Sequence, residues 1–345
     1  MKQRFLSTLT KLLAIPAPPG FETRMAAFVV EELRAIGYSP SVDLAGNVVL
    51  SLDGAELDLP HVMYAAHLDE IGVVVRAIHA DGTLSVTRSG GIVPQKTGER
   101  PFLFLGDVED VTGVLSFGSG HRSNGGDVRE WSDAIVLTGL DPAELKAAGV
   151  RPGTPGVPHM EHRGPVFFGS PEKRLVGAWT LDDRAGMAVL IEWLRCLKET
   201  GVRPLHPTTV AFTVHEEGGC HGAATLAARL RPDVFIAVDG APWSPGNGFQ
   251  VDERPVAWSK DQRANYSQAL LASIRQACEA GTELQHAVLE TGYSDASSVY
   301  QIGAAPRVGI LGHARYNSHG FEVARVDVFP NIIKTLVRLA GMRLA

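Results

Sequence analysis

The chain alternates helical and strand-like segments along most of its length, and one long stretch breaks the alternation. From Gly72 to Arg174, short Val, Leu and Phe runs are separated by turn signals such as Asp81-Gly82, Gly90-Gly91, Gly118-Ser-Gly120 and Gly125-Gly126. The only helix that spacing allows there is a short one over 142–148. Outside it, apolar runs over 62–66, 208–214, 234–238 and 308–311 read as buried strands. Helical periodicity covers 23–36, with Met25, Phe28, Val29 and Leu33 on one face and Gly37 as the stop. It returns over 183–197, 222–230, 265–280 and 326–342. This pattern predicts an α/β fold, a mixed sheet covered by helices on both faces. Residues 1–71 and 175–345 form the split catalytic domain, and 72–174 an inserted, β-barrel-like domain. A length of 345 residues suits that division.

Composition narrows the function. A net charge of −6 without a Lys/Arg cluster disfavours nucleic acid as a partner. Three cysteines, Cys196, Cys220 and Cys278, form no C-x-x-C pair, which fits a reducing compartment and gives no thiolate metal site. The opening Met1-Lys-Gln-Arg and the apolar residues after it imitate a leader, but Lys11 interrupts the run. Leu6, Leu9, Leu12 and Leu13 instead recur at helical spacing. No segment is long and apolar enough to span a membrane, so the expectation is a cytoplasmic protein.

Chemistry-bearing residues gather at the ends of the strand-like runs, where an open α/β sheet binds its ligands. His67 and Asp69 end the first run, Glu216-Glu217 follow 208–214, and Asp239 follows 234–238. Asp182-Asp183-Arg184 precede a helix, and His319 lies beyond 308–311. Taken singly each has a plainer explanation. Asp182 suits an N-cap, adjacent glutamates suit a solvated surface, and a lone histidine is more often structural. Together they make coincidence improbable. Two carboxylates directly after a buried strand are costly to desolvate without a cation. Imidazole and carboxylate without thiolate is the ligand set of catalytic zinc and related ions. Five such groups exceed what one catalytic zinc takes, but suit two ions sharing a carboxylate and holding an attacking hydroxide between them.

Three segments carry a resemblance: His67-Leu-Asp-Glu-Ile-Gly72, Leu181-Asp-Asp-Arg-Ala-Gly186 and His215-Glu-Glu-Gly218. With Val238-Asp239, Ser294-Asp-Ala296 and Arg315-Tyr316 followed by Glu322, the chain resembles the glutamyl aminopeptidase family, whose best-known members are the tetrahedral (TET) aminopeptidases. The likeness implies the zinc aminopeptidase/phosphorylase-like fold, with the insertion serving oligomerisation. It implies two divalent ions per subunit, zinc first, with cobalt or manganese also suited. His67 and Asp239 would hold one ion and Glu217 and His319 the other, with Asp182 bridging. Glu216 would be the general base and Asp69 the acid bracing His67. The family's last histidine falls one residue earlier, where this chain has Ser318; His319 is the expected substitute and His313 the fallback. His121, His215 and His221 are read as non-ligands.

Two side chains keep two readings each. Arg184 either orients the site carboxylates or forms a structural ion pair. Asp295 either contacts the substrate amine or caps the helix starting near Ala296. The implied function is an aminopeptidase acting on short peptides, working as a homo-oligomer, dimer-based and up to a dodecamer. The rivals are a specialised di-zinc amidohydrolase, either an acyl-amino-acid deacylase or a dipeptide hydrolase, and an inactive peptide-binding scaffold.

Overall fold

The computed structural model describes residues 1–118, 129–278 and 282–344. The turn signals at Gly120 and Gly125-Gly126, His121, and the helix end expected at 280 lie outside the described residues. The central sheet has eight strands in the order Ser41–Val42, Val48–Leu52, Thr208–Thr213, Val62–His67, Val234–Ala237, Arg307–Gly312, Val256–Lys260 and Gln285–Val288. Its middle strands run parallel, with Thr208–Thr213 and Val234–Ala237 on either side of Val62–His67. Val62–His67 is buried at every position, so both faces of the sheet are covered, and its near-continuous apolar run follows from that.

The helix Leu181–Thr200 is buried at every residue from Leu181 to Leu194. It packs against that strand and against the helices Lys2–Leu13 and Val328–Ala340. The helices His221–Leu230 and Asp295–Gln301 form a second packed pair. Gly37, left-handed with φ 97°, closes the helix Thr23–Ile36 where the sequence placed its stop. No helix among the described residues is long and apolar enough to cross a membrane.

The inserted stretch folds as a closed barrel. Its strands run in the order Gly72–Ile78, Leu84–Ser89, Ile135–Leu137, Asp110–Ser116, Arg100–Leu105 and Pro155–Pro158, which pairs back onto Gly72–Ile78. Val73, Val75, Val86, Phe102, Phe104, Leu115 and Val136 fill its interior. The short helix Pro142–Ala147 stands where spacing placed one, with Asp141 and Glu144 in a capping box.

The barrel ends at Pro158, earlier than the expected boundary at 174. Val166–Phe168 instead pairs antiparallel with Leu175–Trp179, in register Val166 to Gly177. Those two strands join a second sheet with Phe321–Arg325, Ala314–Tyr316 and Ala241–Pro242. The chain thus leaves the central sheet just after His67, builds the barrel, and passes through two strands of the second sheet before reaching Asp182.

Candidate active site

Three neighbouring parallel strands end at one place. His67 is the last residue of its strand, Glu216 and Glu217 follow the strand ending at Thr213, and Asp239 follows the one ending at Ala237. Asp182 arrives from the opening turn of the buried helix, whose backbone is non-helical at Asp182 and Asp183. Thr180 stands at the N-cap position, so Asp182 is not the cap. His319 comes from the second sheet, in the turn between Ala314–Tyr316 and Phe321–Arg325.

These side chains converge as two overlapping triads. His67, Asp182 and Asp239 bring one ligand atom each within 4.8 Å of one another, and so do Asp182, Glu217 and His319. His67 Nε2 stands 3.2 Å from Asp182 Oδ1. His319 Nε2 stands 3.6 Å from Asp182 Oδ2 and 3.4 Å from Glu217 Oε1. Two donors about 2.1 Å from a shared tetrahedral ion lie about 3.4 Å apart. The spacing and the hard donor set therefore fit a divalent cation in each triad, with Asp182 common to both. Glu216 and Glu217 also group with His67, and Glu216 Oε2 lies 4.0 Å from His67 Nε2.

Asp69 ties the pieces together. Its two carboxylate oxygens accept the backbone N–H groups of Glu216 and Glu217 at 2.9 and 3.0 Å. Its Oδ1 stands 3.5 Å from His67 Nδ1, whose nearer partner is the Asp69 carbonyl at 3.1 Å. Sequence reasoning gave no role to Arg315, which lies within the carboxylate cluster. Its guanidinium bonds Asp182 and stands 3.7 Å from Asp239 and 3.0 Å from Glu322. Glu322 accepts the backbone N–H groups of Asp182 and His319 at 2.8 and 3.1 Å. The signal was present as Arg315-Tyr316 and Glu322 in the matched motif, but spacing alone did not say what they hold.

The remaining expectations divide. Arg184 is fully buried and turns to Glu70 at 3.0 Å and to the Leu68 and Ile15 carbonyls. That is the structural ion pair, and it does not touch the triads. Asp295 is not a cap, because Ser294 takes that place with Ser297 in a capping box. Asp295 lies buried, accepts from Thr213 Oγ1 at 2.6 Å and groups with Glu216 and Cys220. His313 belongs to no such group; its ring faces Phe329 at 5.0 Å. His215 and His221 are likewise outside the groups found among the described residues.

Electrostatics makes the cluster costly as it stands. Burial, and then the neighbouring carboxylates, hold Glu216 well above the usual carboxylate range. Burial carries Glu217 to about 7, Asp295 to about 7, and raises Asp239. Burial works against Asp182 as well, but Arg315, His319 and His67 hold it well below its ordinary value. His67 rises despite its burial, through Asp182 and Asp69. His319 rises against burial to about 9, through Glu217 and Asp182. His313, buried beside Arg315, drops to about 3, a neutral ring. So much negative charge removed from water calls for cations.

The triads open on a cleft of about 850 Å³. Trp258 and Leu289 line part of it, and Arg88 and Lys96 from the insertion line another part.

A family model described as M42 glutamyl aminopeptidase matches residues 46–335. The glutamyl aminopeptidase of Lactococcus lactis is 29% identical over 242 residues, 68% of this chain and 65% of that protein. The lysyl aminopeptidase of Pyrococcus furiosus is 29% identical over 238 residues, 67% of this chain and 65% of that protein. In both, the match spans less than two thirds of the relative's length. The Pyrococcus horikoshii TET1 peptidase, which can assemble into a tetrahedron or a large octahedral shell, superposes with a TM-score of 0.85 at 25% identity. That superposition covers 98% of this chain and 99% of the other.

Proposed function

The chain belongs to the M42 glutamyl aminopeptidase family, and from that premise we propose that it is a metal-dependent aminopeptidase removing N-terminal residues from short peptides. The observation that carries the reading is the pair of ligand triads sharing Asp182, with Glu216 beside them at the edge of the cleft. In this reading His67, Asp182 and Asp239 hold one divalent ion, and Asp182, Glu217 and His319 a second. Zinc suits the set first, with cobalt or manganese as alternatives. Two such ions bound there would supply Lewis-acid polarisation of a carbonyl and a more acidic water.

The protein's own groups do the rest. Glu216, beside both triads, takes the proton of the attacking water and returns it to the leaving amine. Asp69 fixes the backbone of Glu216 and Glu217 together, so base and ligand keep one relative pose. It also braces His67 from the Nδ1 side, leaving Nε2 toward Asp182. Arg315 and Glu322 hold Asp182 and the backbone of His319.

A homo-oligomer belongs to the same reading. Val114 and Leu137 pair on adjacent barrel strands, are 43% and 48% exposed, and point outward together. The assembly stated for the Pyrococcus horikoshii peptidase supports a shell of copies. Three free cysteines support a reducing cytoplasm.

The test is hydrolysis of aminoacyl amides and of their N-acylated analogues by metal-stripped protein resupplied with Zn²⁺, Co²⁺ or Mn²⁺. Release of free-amine substrates is expected. Cleavage of the blocked analogues alone would replace the aminopeptidase with an amidohydrolase. No cleavage with any metal would leave a peptide-binding scaffold.

A further inference from the structure

Two parts of the barrel touch the segment that carries His319. The Gly91 carbonyl oxygen stands 3.2 Å from His319 Nδ1. A carbonyl can only accept, so Nδ1 carries the proton and Nε2 is the nitrogen turned toward Asp182 and Glu217. Only glycine fits at 91, because a Cβ there would lie 2.2 Å from His319 Nδ1. At Gly90 a Cβ would come within 3.3 Å of the Glu217 side chain. The Gly90–Gly91 turn is therefore pressed against two of the three members of one triad.

Lys96, in the short helix Pro94–Thr97, donates from Nζ to the Ser318 carbonyl. Its stem also runs past Gly320. The turn it grips is conformationally demanding. Asn317 and His319 both have φ of 59°, a left-handed backbone that asparagine and histidine tolerate better than most side chains but that still costs more than the right-handed one. Ser318, between them, occupies the place where the resembled family carries its histidine. The clamp thus sits where the backbone must redirect a displaced ligand.

We propose that Lys96, acting with the Gly91 carbonyl, is a positioning residue for His319, so that the barrel completes the second ion site. The inference rests on the two-ion reading above. An ammonium on the Ser318 carbonyl fixes the turn, and the Gly91 carbonyl fixes the imidazole's tautomer and rotation. Such supporting partners typically govern metal affinity by about 10- to 100-fold.

The test is a Co²⁺ titration of metal-stripped full-length protein, followed by visible absorption and calorimetry. Wild type is expected to bind two ions. Lys96→Met should weaken the second by about 10- to 100-fold, change its absorption band and leave the first unchanged. Lys96→Arg should restore most of the loss, and Gly91→Ala should weaken the same ion by an independent route. Melting of metal-free Lys96→Met should match wild type. Wild-type binding of both ions by Lys96→Met overturns the inference and leaves the two-ion reading intact. Equal weakening of both ions also overturns it, because the lysine would then serve the fold. A wild type that binds one ion overturns the two-ion reading itself and the inference with it.

Discussion

His67 and Asp239 leave the ends of adjacent parallel strands at the centre of the large sheet and are only 3% and 7% exposed. His319 leaves a turn between two short strands, with a side chain 33% exposed and a left-handed backbone. Its neighbours are a barrel turn and a lysine far away in sequence. The first triad inherits its geometry from the sheet, whose register leaves little freedom. The second shares Asp182 and takes Glu217 from another strand end, but draws His319 from a turn outside that sheet. His319 is therefore the ligand held by contacts that single substitutions can release.

The largest effect tests what both halves serve. Glu216→Gln should lower kcat by about 10²- to 10⁴-fold while elemental analysis still finds two ions per subunit. Retained activity would remove Glu216 as the base.

The next contrast sets the halves against each other. His67→Ala strips a buried partner from Asp182 and should destabilise the fold by about 3–5 kcal/mol in denaturant melts. It should also lose the first ion. His319→Ala should lose only the second ion, with little change in the melt. Should His319→Ala keep both ions, the ligand assignment is wrong.

A shared support should blur the contrast. Asp69 holds His67 and the backbone of Glu217 together. Asp69→Asn should therefore weaken both ions, by about 10- to 100-fold, in a chelator competition. Loss confined to one ion would assign Asp69 to that half alone.

The smallest effect is on pH. In the metal-free protein Glu217 sits near 7 and His319 near 9, both above their ordinary values. A fold that holds protons more tightly than the unfolded chain loses stability as pH rises between the two values. Calorimetry of stripped protein should show the melting temperature falling from about pH 4.5 to about pH 9, with added divalent metal flattening the fall. Asp182, held low, acts oppositely and only in acid. A melting temperature that rises across the window would contradict the buried-charge account of the site.

The sequence disclosed all five ligand candidates, most directly those at strand ends. His67, Glu216, Glu217 and Asp239 each follow an apolar run that reads as a buried strand, so pattern and position agree. The helix 181–200 is non-helical at Asp182 and Asp183, so its regular turns begin close to the expected start at 183. Val256–Lys260 and the edge strand Gln285–Val288 carry no long apolar run, because Ser259, Lys260, Gln285 and His286 interrupt it. Gly90-Gly91 was legible as a turn but not as a neighbour of His319, which lies 228 residues beyond Gly91. Arg184 stayed ambiguous because an arginine beside two aspartates looks alike whether it faces them or turns away. Contacts of this kind depend on how the chain closes in space, and local pattern is silent about that.

The barrel begins directly after one ligand-bearing strand, and its Gly90–Gly91 turn leans back onto the site. That makes the barrel a poor candidate for shuffling. A hybrid joined at Leu68 and Pro158 would receive a barrel with a sound interior, yet seat its last histidine against a foreign turn. Keeping the turn, Lys96 and the 317–320 loop from one parent should preserve those contacts in such a hybrid.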